Sequence, residues 1–543
     1  MKVQTSIVQL ILYSVLIIFV FANLELRAFS GTNNLNEDAY KIKNDFANDK
    51  YTYKKALKNQ YLSLNPALLD DEISFSIMAQ LVECLVKHED GEVKPALAQK
   101  WTISKDLKKY TFELDKSYKF SDGSAITSDD VVNVFYYLMN DNSVHKQDLA
   151  IIEGAKEYYL KKSKIISGIS IIDKYSFSIR LSKPFAPFLS MITAPQFGIL
   201  PQKSLLLLGK GDAIPFISSG AYSISFASKD GIYLDRNKFY KNVDKIYFKK
   251  IIYTIVKNKN EAIDGLITGK YHDVIPHKIE DSEIPNSAKE KVYKVNANTA
   301  GVWYLGFNLN DLTIKNKYLR EFLRRNIDQD KYMSHMKLPE SYKAINFIPR
   351  GLLGHTKEKI ELNTDVQSMK NSQLLEKANC TKKNICKIEM IYTENGIDDA
   401  LKALFLPLDD FSNVLKVKLV HLERREWFNR FIKQKYQLIY IGTSSVYADT
   451  YWILKYFSDS TFYPGIENKK IKKLLNKSTE ANDKYIRGRL YEEIDKEIMK
   501  QSILIPLNYG VFPYYFVSSF IKGYDIPFAG YYLLKIKDLK YGE

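Results

Sequence analysis

Cysteine is nearly absent. Three cysteines in 543 residues exclude a disulfide-built scaffold, and with no pair of CxxC knuckles a structural zinc is not expected. The seven histidines, His88, His145, His272, His277, His335, His355 and His421, form no HExxH. Neither GxSxG nor a P-loop occurs, so the chain is expected to be no enzyme and to need no cofactor. His272 and His277 beside Asp273 invite a metal reading, but their spacing is of neither helix nor strand, and an exposed loop is expected instead. Long basic tracts are also missing. The formal charge of +16 is spread over single lysines and pairs such as Lys108-Lys109 and Lys249-Lys250, so no nucleic-acid partner is expected. No fixed-period repeat and no low-complexity segment occurs. What remains, 45% hydrophobic and 26% charged residues, is ordinary globular usage in a chain long enough for several structural units.

Only one long apolar run is present, from Ile7 to Ala22 behind Met1-Lys2. It is shorter than a comfortable membrane span of roughly 20 residues and reads as a secretory signal cleaved after Ala22 or Ala28; a retained anchor is the alternative. The first cysteine is Cys84, so the segment lacks the thiol that lipoprotein acylation requires, and a periplasmic location without a lipid is expected. In that oxidising compartment Cys380 and Cys386 are close enough in sequence to close a small disulfide loop. Cys84, in a helically spaced apolar stretch from Met78 to Val86, reads as a buried thiol.

Local signals alternate strand and helix. Leu62–Ile73 combines a short strand-like run, a proline turn and an acidic loop, with a helix expected after it. Tyr110–Asp115 alternates as a strand, Asp122-Gly123 marks a turn, and Thr127 fits a helix N-cap with acids in the first turn. A hairpin is expected over Ile165–Leu181, a strand over Ile246–Val256 and a helix over Asn260–Thr268 capped by Gly269. Helical periodicity returns in Ile471–Ser478 and Tyr485–Met499.

Read in order, several phrases resemble the peptide and nickel family of extracytoplasmic solute-binding proteins of ABC importers (family 5), in particular its oligopeptide-binding branch. They are Ser63-Leu64-Asn65-Pro66, Pro95–Trp101, Phe112-Glu113-Leu114 with Phe120–Val131, Gly220-Ala221-Tyr222, Arg236-Asn237 with Tyr240, Gly269–Asp273, Trp303–Asn308, Leu319–Asp328, Arg489–Ile494 and Ile505-Pro506-Leu507. The resemblance runs from about Tyr61 to about Tyr532. It implies an α/β, two-lobed periplasmic binding protein fold of class II type, with an additional domain inserted in the first lobe. The expected division is a signal peptide at 1–28; first-lobe segments at 29–75, 201–290 and 501–543; the additional domain at 76–200; and the second lobe at 291–500. It further implies a monomer that encloses a peptide by hinge closure and delivers it to permease subunits in the inner membrane. The peptide backbone would be held by hydrogen bonds, with side chains in hydrated pockets.

By the same resemblance Asp70 and Glu72 lie in a loop that lines the cleft, where they are candidates for the ligand's amine; a solvated acidic turn is the competing reading. Trp427 resembles a pocket-forming indole, against a helix-face core residue beside Phe428 and Phe431. The family phrase of glycine, tryptophan and, three residues later, an amine-binding aspartate falls on Gly442, Thr443 and Val446, followed by Tyr447, while Asp449 lies on a later acid. Either a short gap restores Asp449 to the amine-binding place, or the anchor is lost and the ligand is N-blocked, non-peptide or held by Asp70 or Glu72. Two further readings stand beside peptide import: a membrane-retained chaperone or sensor subunit, and a receptor for a metal chelate or glycopeptide.

Overall fold

The computed structural model describes residues 50–542 except 59–62, 90, 210–215, 229, 276–278, 280, 297–299, 361–365, 367, 395, 446, 459–462, 464, 467–468, 511–513 and 525–533. The expected signal segment, His277 and Val446 therefore lie outside the described residues. The chain divides into two compact units, Met1–Ala297 with Tyr514–Glu543, and Asn298–Pro513.

The first unit is built on a seven-stranded mixed sheet, in the order Val292–Asn296, Tyr514–Ser518, Asp273–Ile275, Thr52–Leu57, Lys250–Ile255, Gly231–Arg236 and Tyr222–Ser228. Thr52–Leu57 runs parallel to both neighbours, with Lys55 in register with Asp273. These two side chains form an ion pair at 3.3 Å, 1% and 0% exposed, and the Tyr53 hydroxyl donates to the same carboxylate at 2.5 Å. Asp273, which ends the Gly269–Asp273 phrase, is thus a staple between strands distant in sequence. Its neighbour His272 is buried in the sheet rather than placed on an exposed loop, with Nδ1 accepting from the Lys54 amide at 3.1 Å and burial lowering the imidazole to about 4.

A four-stranded antiparallel sheet lies in the same unit, ordered Ala98–Ile103, Lys109–Leu114, Ser176–Arg180, Ile169–Asp173. Tyr110, Phe112 and Leu114 are its buried face, as their period of two requires. The helix Ser128–Leu138 begins at Thr127, whose amide and hydroxyl both donate to Asp130, at 2.9 and 2.8 Å. Gly220 approaches the helix Glu72–Leu81 so closely that a Cβ would stand 2.5 Å from the Gln80 carbonyl oxygen. Asn237 fixes that approach, its amide group donating to the Gly220 carbonyl at 3.0 Å. Cys84 lies just beyond this helix, not within it; its thiol is buried, donates to the Ala194 carbonyl and is pushed up to about 12.

The second unit carries a five-stranded sheet ordered Leu415–His421, Cys386–Tyr392, Leu438–Ser444, Gly301–Phe307, Leu504–Tyr509. The first three strands are parallel and alternate with the helices Asp398–Phe405 and Arg424–Ile432, a βαβαβ arrangement; Gly301–Phe307 runs antiparallel to both its neighbours. The expected return to the first lobe at 501 comes later, at Tyr514, because Leu504–Tyr509 completes this sheet by pairing with Gly301–Phe307. Entry at Asn298 is likewise later than the expected 291, because Val292–Asn296 pairs with Tyr514–Ser518 in the first unit. Cys380 and Cys386 are joined by a disulfide with a Cα separation of 5.2 Å, at the start of the Cys386–Tyr392 strand. Arg320, of the Leu319–Asp328 phrase, is buried and donates to the carbonyls of Ile314, Lys315, Gln501 and Ser502. Among the described residues no helix is long and apolar enough to cross a membrane.

Candidate ligand-binding residues

In the first unit the acidic run does not form a loop throughout. Asp71 is the N-cap of the helix Glu72–Leu81, with Oδ1 accepting from the Ile73 and Ser74 amides at 3.1 and 2.9 Å, and Glu72 is the first helical residue. Asp71 is therefore structural. Asp70 precedes the cap, half-buried, its carboxyl raised to about 6 by burial and by the neighbouring Asp71 charge. Burial also raises Glu72, with Asp71 acting in the same sense and Lys58 opposing it. Two carboxylates held above their usual range fit a place where a cation from outside would be welcome.

The remaining expected residues belong to the second unit. Trp427 lies on the helix Arg424–Ile432, stacked on Phe431 at 5.6 Å and packed with Val420, Leu422 and Ile441 against Ile391, Tyr436 and Ile439. That is the helix-face packing role. Its indole Nε1 is buried without a partner among the described residues. Gly442 is matched across the sheet with Trp303, whose ring would meet a Cβ at 2.8 Å and stacks on Tyr440 at 4.9 Å. The indole that the family places after this glycine is replaced by Thr443, but another indole, from the neighbouring strand, covers the glycine. Thr443 pairs with Val302 and stays partly exposed.

Tyr447 is buried and meets Trp452 edge-on at 4.4 Å. Asp449 is 2% exposed and fully engaged. Its Oδ1 accepts from the Tyr491 hydroxyl at 2.8 Å and the Tyr451 amide at 2.9 Å, and its Oδ2 lies 3.5 Å from the Arg487 guanidinium. Both long side chains come from the helix Lys484–Lys500. The carboxylate ties the segment after the Leu438–Ser444 strand to that helix, so the gapped alignment that makes it an amine anchor finds its oxygens already taken.

Residues not singled out in the sequence gather at the carboxyl ends of the parallel strands. Glu394 follows Cys386–Tyr392, His421 ends Leu415–His421, and Arg424 opens the next helix. Burial raises the Glu394 carboxyl while Arg424 and His421 pull it down. Open α/β sheets bind ligands at such strand ends. Nothing in the local sequence distinguishes Thr393-Glu394 from a surface turn; only the parallel pairing brings it beside Arg424.

The sequence profile of the bacterial extracellular solute-binding proteins, family 5 (middle region), matches residues 92–464. The chain belongs to this family. The oligopeptide-binding protein OppA of Bacillus subtilis (strain 168) is 24% identical over 98% of this chain and 98% of its own length. Among solved structures, the periplasmic murein tripeptide-binding protein MppA in its unliganded open form superposes with a TM-score of 0.73 at 19% identity, covering 91% of this chain and 98% of that one. The binding protein AgaA of A. tumefaciens R10, in complex with agropinic acid, gives 0.70 at 17% identity, covering 91% and 99%. The family 5 chain thus has the two-lobed α/β binding-protein fold, and the residues described above divide in two. Gly220, Asn237, Asp273, Arg320 and Asp449 hold the fold. Asp70, Glu72, Thr443 and Glu394 keep polar groups at least partly accessible.

Proposed function

We propose that this chain is the extracytoplasmic substrate-binding component of an ABC importer, that it captures peptides as its lobes close, and that it hands them to permease subunits in the membrane. The supporting observation is the end-to-end likeness to an oligopeptide-binding protein, on top of membership of a solute-binding family. Only a ligand touching both lobes favours the closed state, which is how occupancy is signalled to a membrane partner. In this reading the first unit's candidates for the ligand's cationic end are Asp70 and Glu72; within the second unit Glu394 is the candidate carboxylate and Thr443 the candidate hydroxyl, while Gly442 and Trp427 act through packing. The protein acts as a monomer in the periplasm, released by cleavage of its N-terminal segment and without a lipid.

A second reading, a ligand without a free α-amine, is favoured by one observation. Valine occupies position 446, where the family places its amine-binding aspartate, and the next acid, Asp449, is committed to Arg487 and Tyr491. An unpartnered buried ammonium costs several kcal/mol, enough to remove micromolar binding. AgaA, similar in fold, holds a non-peptide solute. Native mass spectrometry of the ligand that co-purifies, followed by calorimetry with free and N-acetylated forms of the same tetrapeptide, separates the two. Peptide masses with preference for the free amine support the first reading, and equal or better binding of the acetylated form supports the second. A non-peptide mass with no peptide titration overturns peptide import.

A further inference from the structure

We infer that the second unit contains a prebuilt anion-binding cavity for a carboxylate-bearing solute. The cavity measures about 640 Å³ and is lined by Glu340, Lys343, Arg350, His355, Lys357 and Tyr509, among others. Its cations are unequal. Lys343 is engaged by Asp330 and lies 3.7 Å from Glu340, so its charge is answered within the fold. Arg350 and Lys357 are exposed, and among the described residues neither has a carboxylate partner. His355 lines the same cavity: burial holds its imidazole below the ordinary range, the hydrogen bond to Ile348 opposes this, and the Arg350 and Lys357 charges add to the lowering. Its Nδ1 donates to the Ile348 carbonyl at 2.8 Å, which leaves Nε2 as the remaining ring nitrogen, and the ring meets Tyr509 edge-on at 5.7 Å.

The loop that presents these groups has little regular structure, yet its polar backbone is satisfied at many points. Ala344 donates to the Leu507 carbonyl, and Lys343 bridges to Asn508. The Phe347 and Ile348 amides donate to the buried Asp495 carboxylate, each at 3.1 Å. Asn346 closes the loop on itself, donating to the Glu358 carbonyl at 2.7 Å and accepting from the Ile360 amide at 3.0 Å, while the Tyr509 hydroxyl donates to the Asn346 carbonyl at 3.0 Å. Thr450 donates to the Leu353 carbonyl, and Gly354, at a φ of +85°, has no room for a Cβ against Tyr491. Long irregular loops pinned in this way are characteristically functional. Order fixed before binding lowers the cost of binding. A planar guanidinium and an ammonium on a fixed frame match a carboxylate, and the Tyr509 and Ile345 walls favour an organic acid over a bare ion.

Under the proposed reading as a peptide receptor, on which the choice of probe rests, the carboxylate belongs to an acidic side chain or a C-terminus. Calorimetry of the full chain with Ala-Glu-Ala, Ala-Gln-Ala, C-terminally amidated Ala-Gln-Ala and, as a small dicarboxylate, succinate tests it. Removing the carboxylate that enters the cavity should weaken binding about tenfold or more, and the pair that differs identifies side chain or terminus. In the double variant Arg350→Gln/Lys357→Gln, changed only at exposed side chains, that difference should vanish. The inference is overturned if all three peptides bind the native chain alike, if the difference survives in the double variant, or if neither peptides nor succinate bind. If succinate alone binds and the double variant abolishes it, the cavity stands and the peptide reading falls.

Discussion

Asp449 shows how much a single side chain's surroundings decide. Replacing it with asparagine keeps an oxygen for the Tyr451 amide and the Tyr491 hydroxyl but removes the charge that answers Arg487, itself 12% exposed. Breaking a pair of this kind costs about 2–4 kcal/mol. Asp449→Asn is therefore expected to lower the urea midpoint clearly while leaving ligand affinity, measured where the variant is still folded, within about threefold. A large affinity loss at unchanged stability would restore Asp449 as the anchor. Asp70 carries the opposite expectation. Its carboxyl, raised to about 6 by burial, is mostly protonated at pH 5, and a cationic ligand favours the ionised form. Affinity for a free-amine ligand should rise about tenfold between pH 5 and 7, and Asp70→Asn should flatten that rise. A profile identical in the variant would remove Asp70 from the site.

At the level of elements, the loop between Lys343 and Lys357 hangs on Asp495 of the helix Lys484–Lys500. This carboxyl is fully buried, and burial raises it to about 7 despite the two amides it accepts. The folded state therefore keeps a proton that the unfolded chain releases near pH 4. The resulting stability is present below that pH and is lost as the pH climbs to about 7. Urea midpoints of Asp495→Asn should lack this downward component between pH 4 and 7; the same slope in native and variant proteins would show that the carboxyl is not protonated there. Elements whose signals are local were legible in the sequence. The strand Lys109–Leu114 follows a period of two, the helix Lys259–Ile267 starts at Asn258 and is followed by Gly269 at positive φ, and Thr127 caps Ser128–Leu138. By composition the acidic run from Asp70 is one loop; capping geometry, which composition does not carry, separates Asp71 from its neighbours. The side of the boundary on which Leu504–Tyr509 falls is not legible locally, because its partner, Gly301–Phe307, lies far away in sequence.

For the molecule as a whole, the family resemblance was legible because short ordered phrases survive over the entire chain. Their physical meaning was not, since Lys55 with Asp273, Gly220 with Gln80, and Arg320 with the Gln501 and Ser502 carbonyls are contacts between distant segments. These contacts lie within one unit or the other. Each unit has its own sheet, and the chain passes into the second after Ala297 and back after Pro513. Two such bodies joined by few covalent crossings should unfold as separable cooperative events in the absence of ligand. A ligand gripped by only one lobe stabilises that lobe alone, by an amount set by its concentration over Kd, whereas one gripped by both raises both and couples them. Differential scanning calorimetry should resolve two components in ligand-free protein and bring them together, both at higher temperature, at saturating ligand. A ligand that shifts one component and leaves the other in place would exclude capture by closure of two lobes, whatever its affinity.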